Sequence, residues 1–315
     1  MSQHFEPLDS VFVPGPGGQV IVGYDGSATS AAALDWGAAE ALARSSTLHV
    51  MMCSTPSDAT DFYETGARRR GELHAAVVDL TTRYPGLNVE STATIGDPRD
   101  VLSQDAAPSD VLVVGASTGG VVKRLLLGSV PRDAARHSPC PVVVVHGRAG
   151  ARSDRSVMNR IVVGADGSNA AETAIRWACT ESGFHGADVV VVHGWEQGSR
   201  EDAQLIVDRA VEHCRSLTPN PVAGRLVAAS PLDALVAASR DADLVAIGSR
   251  GRSGFTTMLF GSVALAVAEQ AACPIAITHP RLHRVSNPQD SQQDSQQDSQ
   301  QNSHQNSQQN KGQQP

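Results

Sequence analysis

Leu244 to Val263 reads LVAIGSRGRSGFTTMLFGSV. Four apolar residues, Leu244 to Ile247, meet Gly248. A basic, glycine-containing run follows through Ser249, Arg250, Gly251, Arg252 and Ser253, and Gly261-Ser262-Val263 opens an Ala/Val-rich stretch with helical spacing. The pattern predicts a buried strand, a glycine turn, a loop and the start of a helix. That order suits an anion, because small residues let backbone N–H groups close on it and the helix dipole adds positive potential. A glycine turn alone is a weak sign, since glycines often do no more than reverse the chain.

The rest of the chain decides. Val20 to Ser27 reads VIVGYDGS, and Ile161 to Ser168 reads IVVGADGS. One offset of 141 residues relates Gly23 to Gly164, Asp25 to Asp166 and Trp36 to Trp177. Farther on, DVLVVGA (Asp110 to Ala116) matches DLVAIGS (Asp243 to Ser249), LLGSV (Leu126 to Val130) matches LFGSV (Leu259 to Val263), and Cys140-Pro141 matches Cys273-Pro274, all at an offset of 133. The chain is therefore an internal duplication whose second copy is eight residues shorter in the middle. The difference is expected in DATDFYETG, Asp58 to Gly66, before the second helix, because loops absorb length and strands cannot shift register.

Each copy reads as five strands alternating with four helices. Strands are expected near 20–24, 47–53, 88–95, 110–116 and 141–146, then near 160–165, 188–193, 222–229, 243–248 and 274–279. The VVVV runs at Val142–Val145 and Val189–Val192 are apolar on both faces, as parallel strands covered by helices must be. The fold class is α/β: two tandem, doubly wound, five-stranded parallel sheets with right-handed crossovers. The expected organisation is a lead-in over 1–18, a domain over 19–148, a linker over 149–158, a second domain over 159–282 and a Gln/Ser/Asn-rich tail over 283–315. From Ser286 onward the tail has no apolar residue and cannot offset its ordering entropy, so no structure is assigned to it.

Ligands of open parallel sheets bind at the carboxyl ends of strands where the strand order reverses. With the first strand beside the fourth, Asp166 and the Gly248 loop face one crevice. A carboxylate there suits ribose hydroxyls or a bound Mg²⁺, and the loop with its helix start suits a phosphate chain. The combination describes a mononucleotide site.

These residues resemble the universal stress protein family, with two copies in tandem over 19–147 and 159–280. ATP-binding members of that family carry G-x2-G-x9-G-[S/T] after the fourth strand, and the second copy reproduces it as Gly248, Gly251, Gly261 and Ser262. The aspartate after the first strand and the Cys-Pro before the last are shared as well. The resemblance implies ATP, with Mg²⁺, held by Gly164, Asp166, Gly248, Ser249, Arg250, Gly251, Arg252, Ser253, Gly261, Ser262 and Val263. It also implies a role in adaptation to stress or growth arrest, and packing of the copies on each other or between chains in a homodimer. That packing would run through the final strands, near Val142–Val145 and Ile275–Thr278, whose exposed edges a pseudo-twofold partner would cover.

The first copy departs from the pattern. Gly23, Asp25, Gly115, Gly128, Ser129 and Val130 are in place, but Thr118 stands at the second glycine and Ser117 where the second copy has Arg250. A β-branched residue resists positive φ, although Gly119 and Gly120 offer a shifted turn. The expectation is strong ATP binding by the second copy and weak or no binding by the first.

Other classes are disfavoured. A formal charge of −8 argues against a nucleic-acid partner, which needs basic stripes. The five cysteines have no metal-type spacing, and His146, His193 and His279 lack nearby ligand partners, so no metal is expected from protein groups alone. No signal segment or apolar run of ~20 residues is present, so a cytoplasmic chain with no membrane partner is expected. There is no P-loop, GxSxG elbow or oriented nucleophile, hence no catalytic residues and a regulatory rather than enzymatic reading. Slow ATP hydrolysis and a nucleotide-independent scaffold stay open as alternatives. Asp25 and Asp166 have a second reading as helix caps. Trp36 and Trp177 are read as helix-to-sheet packing, Cys140 and Cys273 as buried thiols, and the backbone near Met52 and His193 as the base-contacting region.

Overall fold

The computed structural model describes residues 18–55, 62–108, 110–116, 127–146, 158–251 and 261–280. Thr118, Gly119, Gly120, Arg252 and Ser253 lie outside those residues, as do 1–17, 147–157 and 281–315.

The first copy runs β1 (Val20–Gly23), α1 (Ala28–Arg44), β2 (Leu48–Ser54), α2 (Phe62–Arg83), β3 (Val89–Ile95), α3 (Pro98–Asp105), β4 (Val111–Gly115), α4 (Ser129–His137) and β5 (Val142–Val145). The second repeats it as β6 (Arg160–Gly164), α5 (Asn169–His185), β7 (Asp188–Gly194), α6 (Arg200–Leu217), β8 (Val222–Val227), α7 (Pro231–Ala238), β9 (Leu244–Gly248), α8 (Ser262–Gln270) and β10 (Ile275–Thr278).

Within each copy all strands are parallel, and the first strand lies between the second and the fourth. The reversal of strand order therefore falls between β1 and β4, and between β6 and β9. The two sheets do not end separately. They join into one ten-stranded sheet of order β3-β2-β1-β4-β5-β10-β9-β6-β7-β8. At the join, β5 and β10 run antiparallel, with Ile275 opposite Val144, Ala276 opposite Val143 and Ile277 opposite Val142. Each final strand thus covers the edge that the other would expose.

Alternation along the buried strands feeds two apolar layers. Val143 and Val145 enter the layer under α1, α2, α5 and α6, whereas Val142 and Val144 enter the layer under α3, α4, α7 and α8. Both layers draw residues from both copies, so apolar packing continues across the join. Trp36 and Trp177 lie in the first layer, packed against the sheet as the sequence predicts.

The length difference between the copies is placed partly elsewhere than expected. Helix α2 begins at Phe62, inside the DATDFYETG segment, and has 22 residues against 18 in α6. About one helical turn of the eight-residue difference is therefore helix, and the rest is connection. A surface helix can lengthen past the sheet without disturbing strand register, which is why a loop was not needed. Strand β8 also stops at Val227, short of residue 229, because the Ala229 N–H turns back to the Val227 carbonyl at 2.9 Å.

Candidate functional site

The DGS sequence builds the same turn twice. In the second copy, Asp166 Oδ1 accepts the Ser168 N–H at 2.9 Å, across Gly167 at φ 77°. Ser168 then caps α5 by accepting the Ala171 N–H at 3.2 Å. In the first copy, Asp25 Oδ1 accepts the Ser27 N–H at 2.9 Å across Gly26 at φ 84°, and Ser27 caps α1 through the Ser30 N–H at 3.2 Å. The serine is the helix cap in both copies. The aspartate sets the turn before it with one carboxylate oxygen.

The other oxygen of Asp166 faces the loop after β9. A Cβ built on Gly251 would stand 2.8 Å from Asp166 Oδ2. The pairing of β6 with β9, Val163 opposite Ala246, is what brings these distant segments together. Gly248 has a different task. A Cβ there would stand 2.5 Å from the Ala170 carbonyl carbon, so its absence lets the first turn of α5 lie against the strand end. Gly115 does the same against Thr29, at 2.6 Å. This glycine is required by packing, whether or not a ligand binds.

Beyond Gly248 the chain is tied from two sides. The Ser249 N–H donates to the Thr278 carbonyl, and the Gly261 N–H donates to the Ser249 carbonyl, each at 2.8 Å. The second bond closes the neck of the loop onto the start of α8. Gly261 caps that helix in extended backbone, φ −75° and ψ 144°, with no side-chain cap bond. Helices α5, α6 and α7 are instead each capped by a serine hydroxyl. The first turn of α8, with Ser262 and the exposed Val263, therefore presents N–H groups that no capping side chain takes. Ser249 is buried, and its Oγ has no hydrogen-bond partner among the described residues. The Nε of Arg250 is likewise buried and unpartnered.

The first-copy crevice is built from similar parts with different surroundings. Gly128 caps α4 without a side-chain bond, φ −61° and ψ 170°, and Ser129 and Val130 form the first turn. Burial opposes ionisation of Asp25, but hydrogen bonds from the Ser27 side chain and backbone and from Ser30 outweigh it and hold the carboxyl below its usual range. Arg69 on α2 donates to the Asp25 carbonyl at 3.1 Å. In the second copy the nearest side chain to a Cβ on Gly167 is Ile206, at 3.9 Å. The Leu127 N–H donates to Glu269 Oε1 of α8 at 3.4 Å, and Arg132 lies 3.5 Å from the same oxygen. The loop exit of the first copy is thus held by the last helix of the second.

Of the base-region residues, Met52 is wholly buried in the core. His193 Nδ1–H donates to the Ala165 carbonyl at 2.7 Å, tying the end of β7 to that of β6. Cys140 and Cys273 are buried free thiols, as expected. Burial, reinforced by the charges of Arg250 and His137, pushes the His279 imidazole down to about 4. Sequence reasoning passed over His279 in this role, along with Arg69, Glu269 and a buried cluster of Glu40, Arg44, Glu181 and His185. Only the cluster carried a signal: the offset of 141 relates Glu40 to Glu181 and Arg44 to His185.

The fold defines a class: a tandem of doubly wound α/β domains, each with a DGS turn at the crossing point between its first and fourth strands. The profile of the Universal stress protein family matches residues 18–146, 158–213 and 220–279, and the chain belongs to that family. A universal stress protein of Mycolicibacterium smegmatis is 30% identical over 287 residues, covering 83% of this chain and 97% of that protein. One of Mycobacterium tuberculosis is 31% identical over 288 residues, covering 82% and 96%. A universal stress protein structure from Archaeoglobus fulgidus shares the fold at TM-score 0.66 and 18% identity, covering 84% of this chain and 98% of that one. Among the described residues, no helix is long and apolar enough to cross a membrane.

Proposed function

We propose that the second copy binds ATP, with Mg²⁺, and that the chain is a nucleotide-responsive regulator of stress or growth-arrest adaptation rather than a metabolic enzyme. The observation that carries this reading is the approach of Asp166 Oδ2 to Gly251, 2.8 Å from a Cβ position, which leaves a carboxylate beside a backbone free of side chain. The residues fit the group. Asp166 would meet a ribose hydroxyl or the metal, and the start of α8 at Gly261, Ser262 and Val263, which has no side-chain cap, would meet phosphate oxygens. The unpartnered Ser249 Oγ and Arg250 Nε add donors beside that helix start. Bound nucleotide would supply the charge that these donors answer.

The test is mass spectrometry of gently purified full chain for co-eluting nucleotide, followed by ATP titration with Mg²⁺. Stoichiometric ATP that is lost in Asp166→Ala supports the reading. Absence of bound nucleotide together with no titratable affinity would reject it.

A further inference from the structure

Where the copies meet, α1 and α5 touch through four side chains related by the duplication: Glu40 and Arg44, Glu181 and His185. Both glutamates are buried, and the Arg44 and His185 side chains are only 5% and 8% exposed. Arg44 Nε donates to Glu40 Oε1, and Arg44 Nη2 donates to Glu181 Oε1. His185 Nε2 bonds Glu40 Oε2 at 2.9 Å, and Arg44 Cζ lies over the Phe184 ring, 5.1 Å from the ring centroid. The Cys140 thiol, at the entry to β5, lies within electrostatic range of Arg44. Glu181 Oε2 has no hydrogen-bond partner among the described residues.

The ligand-type atoms of Glu40, Glu181 and His185 lie within 4.8 Å of one another, a spacing that a divalent cation can use. Charge decides against the metal. Two carboxylates and Arg44 together carry one negative charge, so a divalent ion would leave an uncompensated positive charge in a buried site. A single proton leaves none, and uncompensated buried charge is what the interior penalises.

We propose that this cluster is a one-proton lock between the copies: Glu181 keeps a proton beside ionised Glu40, and its release on alkalinisation loosens α1 from α5. Burial pushes the Glu181 carboxyl well above the usual range, with the Glu40 charge adding to the shift and Arg44 opposing it. At Glu40 burial also opposes ionisation, but the Arg44 charge and the hydrogen bond from His185 outweigh it and hold the carboxyl low. Above the usual carboxylate range the folded chain holds one proton more than the unfolded chain. Stability therefore falls as pH rises toward the raised Glu181 value. Below that range Glu40 stays ionised while the unfolded chain protonates, so stability also falls toward acid.

Urea unfolding of the full chain from about pH 3 to 9, for wild type and Glu181→Gln, tests the lock. The expected wild-type alkaline limb is steeper by one proton, about tenfold in the folding constant per pH unit. Glu181→Gln, permanently neutral, loses that extra slope and retains the acid limb. Equal alkaline slopes would overturn the proposal, as would stoichiometric Zn²⁺ binding by wild type that the variant loses. Infrared spectra of the wild type keep the test independent of whether the variant folds. A protonated-carboxyl band present at neutral pH and gone at alkaline pH supports the lock, and its absence at neutral pH overturns it.

Discussion

Asp166 and Gly251, 85 positions apart in the chain, stand so close that a methyl group on Gly251 would press on the aspartate's Oδ2. The atom it would meet is the far end of a side chain, not backbone. Gly251→Ala should therefore fold with a nearly unchanged thermal midpoint while displacing the carboxylate from the crevice. Losing one hydrogen bond to a charged group costs roughly 1.5–3 kcal/mol. Calorimetric titration should accordingly show ATP affinity falling by about tenfold or more, with the ligand-free melting curve as the control.

Gly248→Ala should behave in the opposite way. Its Cβ would meet the Ala170 backbone at 2.5 Å, and α5 cannot step back without opening the apolar layer beneath it. Overpacking of this kind costs about 1–3 kcal/mol. Denaturant unfolding should show that loss with no nucleotide present. Gly115→Ala, facing Thr29 at 2.6 Å, should lose a comparable amount. A variant that binds ATP poorly but unfolds like wild type would refute the packing role.

The two crevices should not be equivalent. Asp25 has the same turn as Asp166, yet Arg69 bonds its carbonyl and Glu269 reaches the loop exit at Leu127. Gly251 is not at positive φ, contrary to the expectation from sequence, so Thr118 at its counterpart position differs by carrying a side chain where Gly251 leaves room for Asp166. Asp25→Ala is expected to leave affinity at the proposed ATP site within about twofold of wild type, whereas Asp166→Ala weakens it by tenfold or more. Equal losses in the two titrations would reject the asymmetry.

What the sequence made legible was whatever repeats. The DGS turns and the matched tryptophans each occur twice in register, and together with the apolar valine runs they located the strands, the helix faces and the crossing point. The pairing of β5 with β10 was also foreseeable, because an apolar final strand leaves an edge that must be covered. The longer α2 was not legible, since an added helical turn on the surface has no local signature distinct from a loop insertion. Nor was the work of Gly248: its spacing in the motif suggested a phosphate contact, but only the distance to Ala170 shows that packing already requires it. Arg69 and Glu269 act across elements, and nothing in their own neighbourhoods announces those contacts.

Thiol chemistry should separate the half-buried cysteine from the others. Burial pushes the Cys140 thiol up to about 11 and Cys273 up to about 12, so near pH 8 almost none of either is thiolate, the form that reacts. Hydrogen bonding to Cys179 raises Cys214 further, with burial adding to it, and Cys214 is also enclosed by the core. Cys53 is half-buried at the end of β2, and its thiol is raised by burial and by the nearby charges of Asp105 and Asp97. Iodoacetamide on the native chain should consequently add a label slowly at Cys53 before any other site, and at all five cysteines only in denaturant. Peptide mass mapping after brief exposure reads the order directly. Early modification of Cys140 or Cys273 would mean that the layer under α4 and α8 opens on the labelling timescale, contrary to the packing described for it.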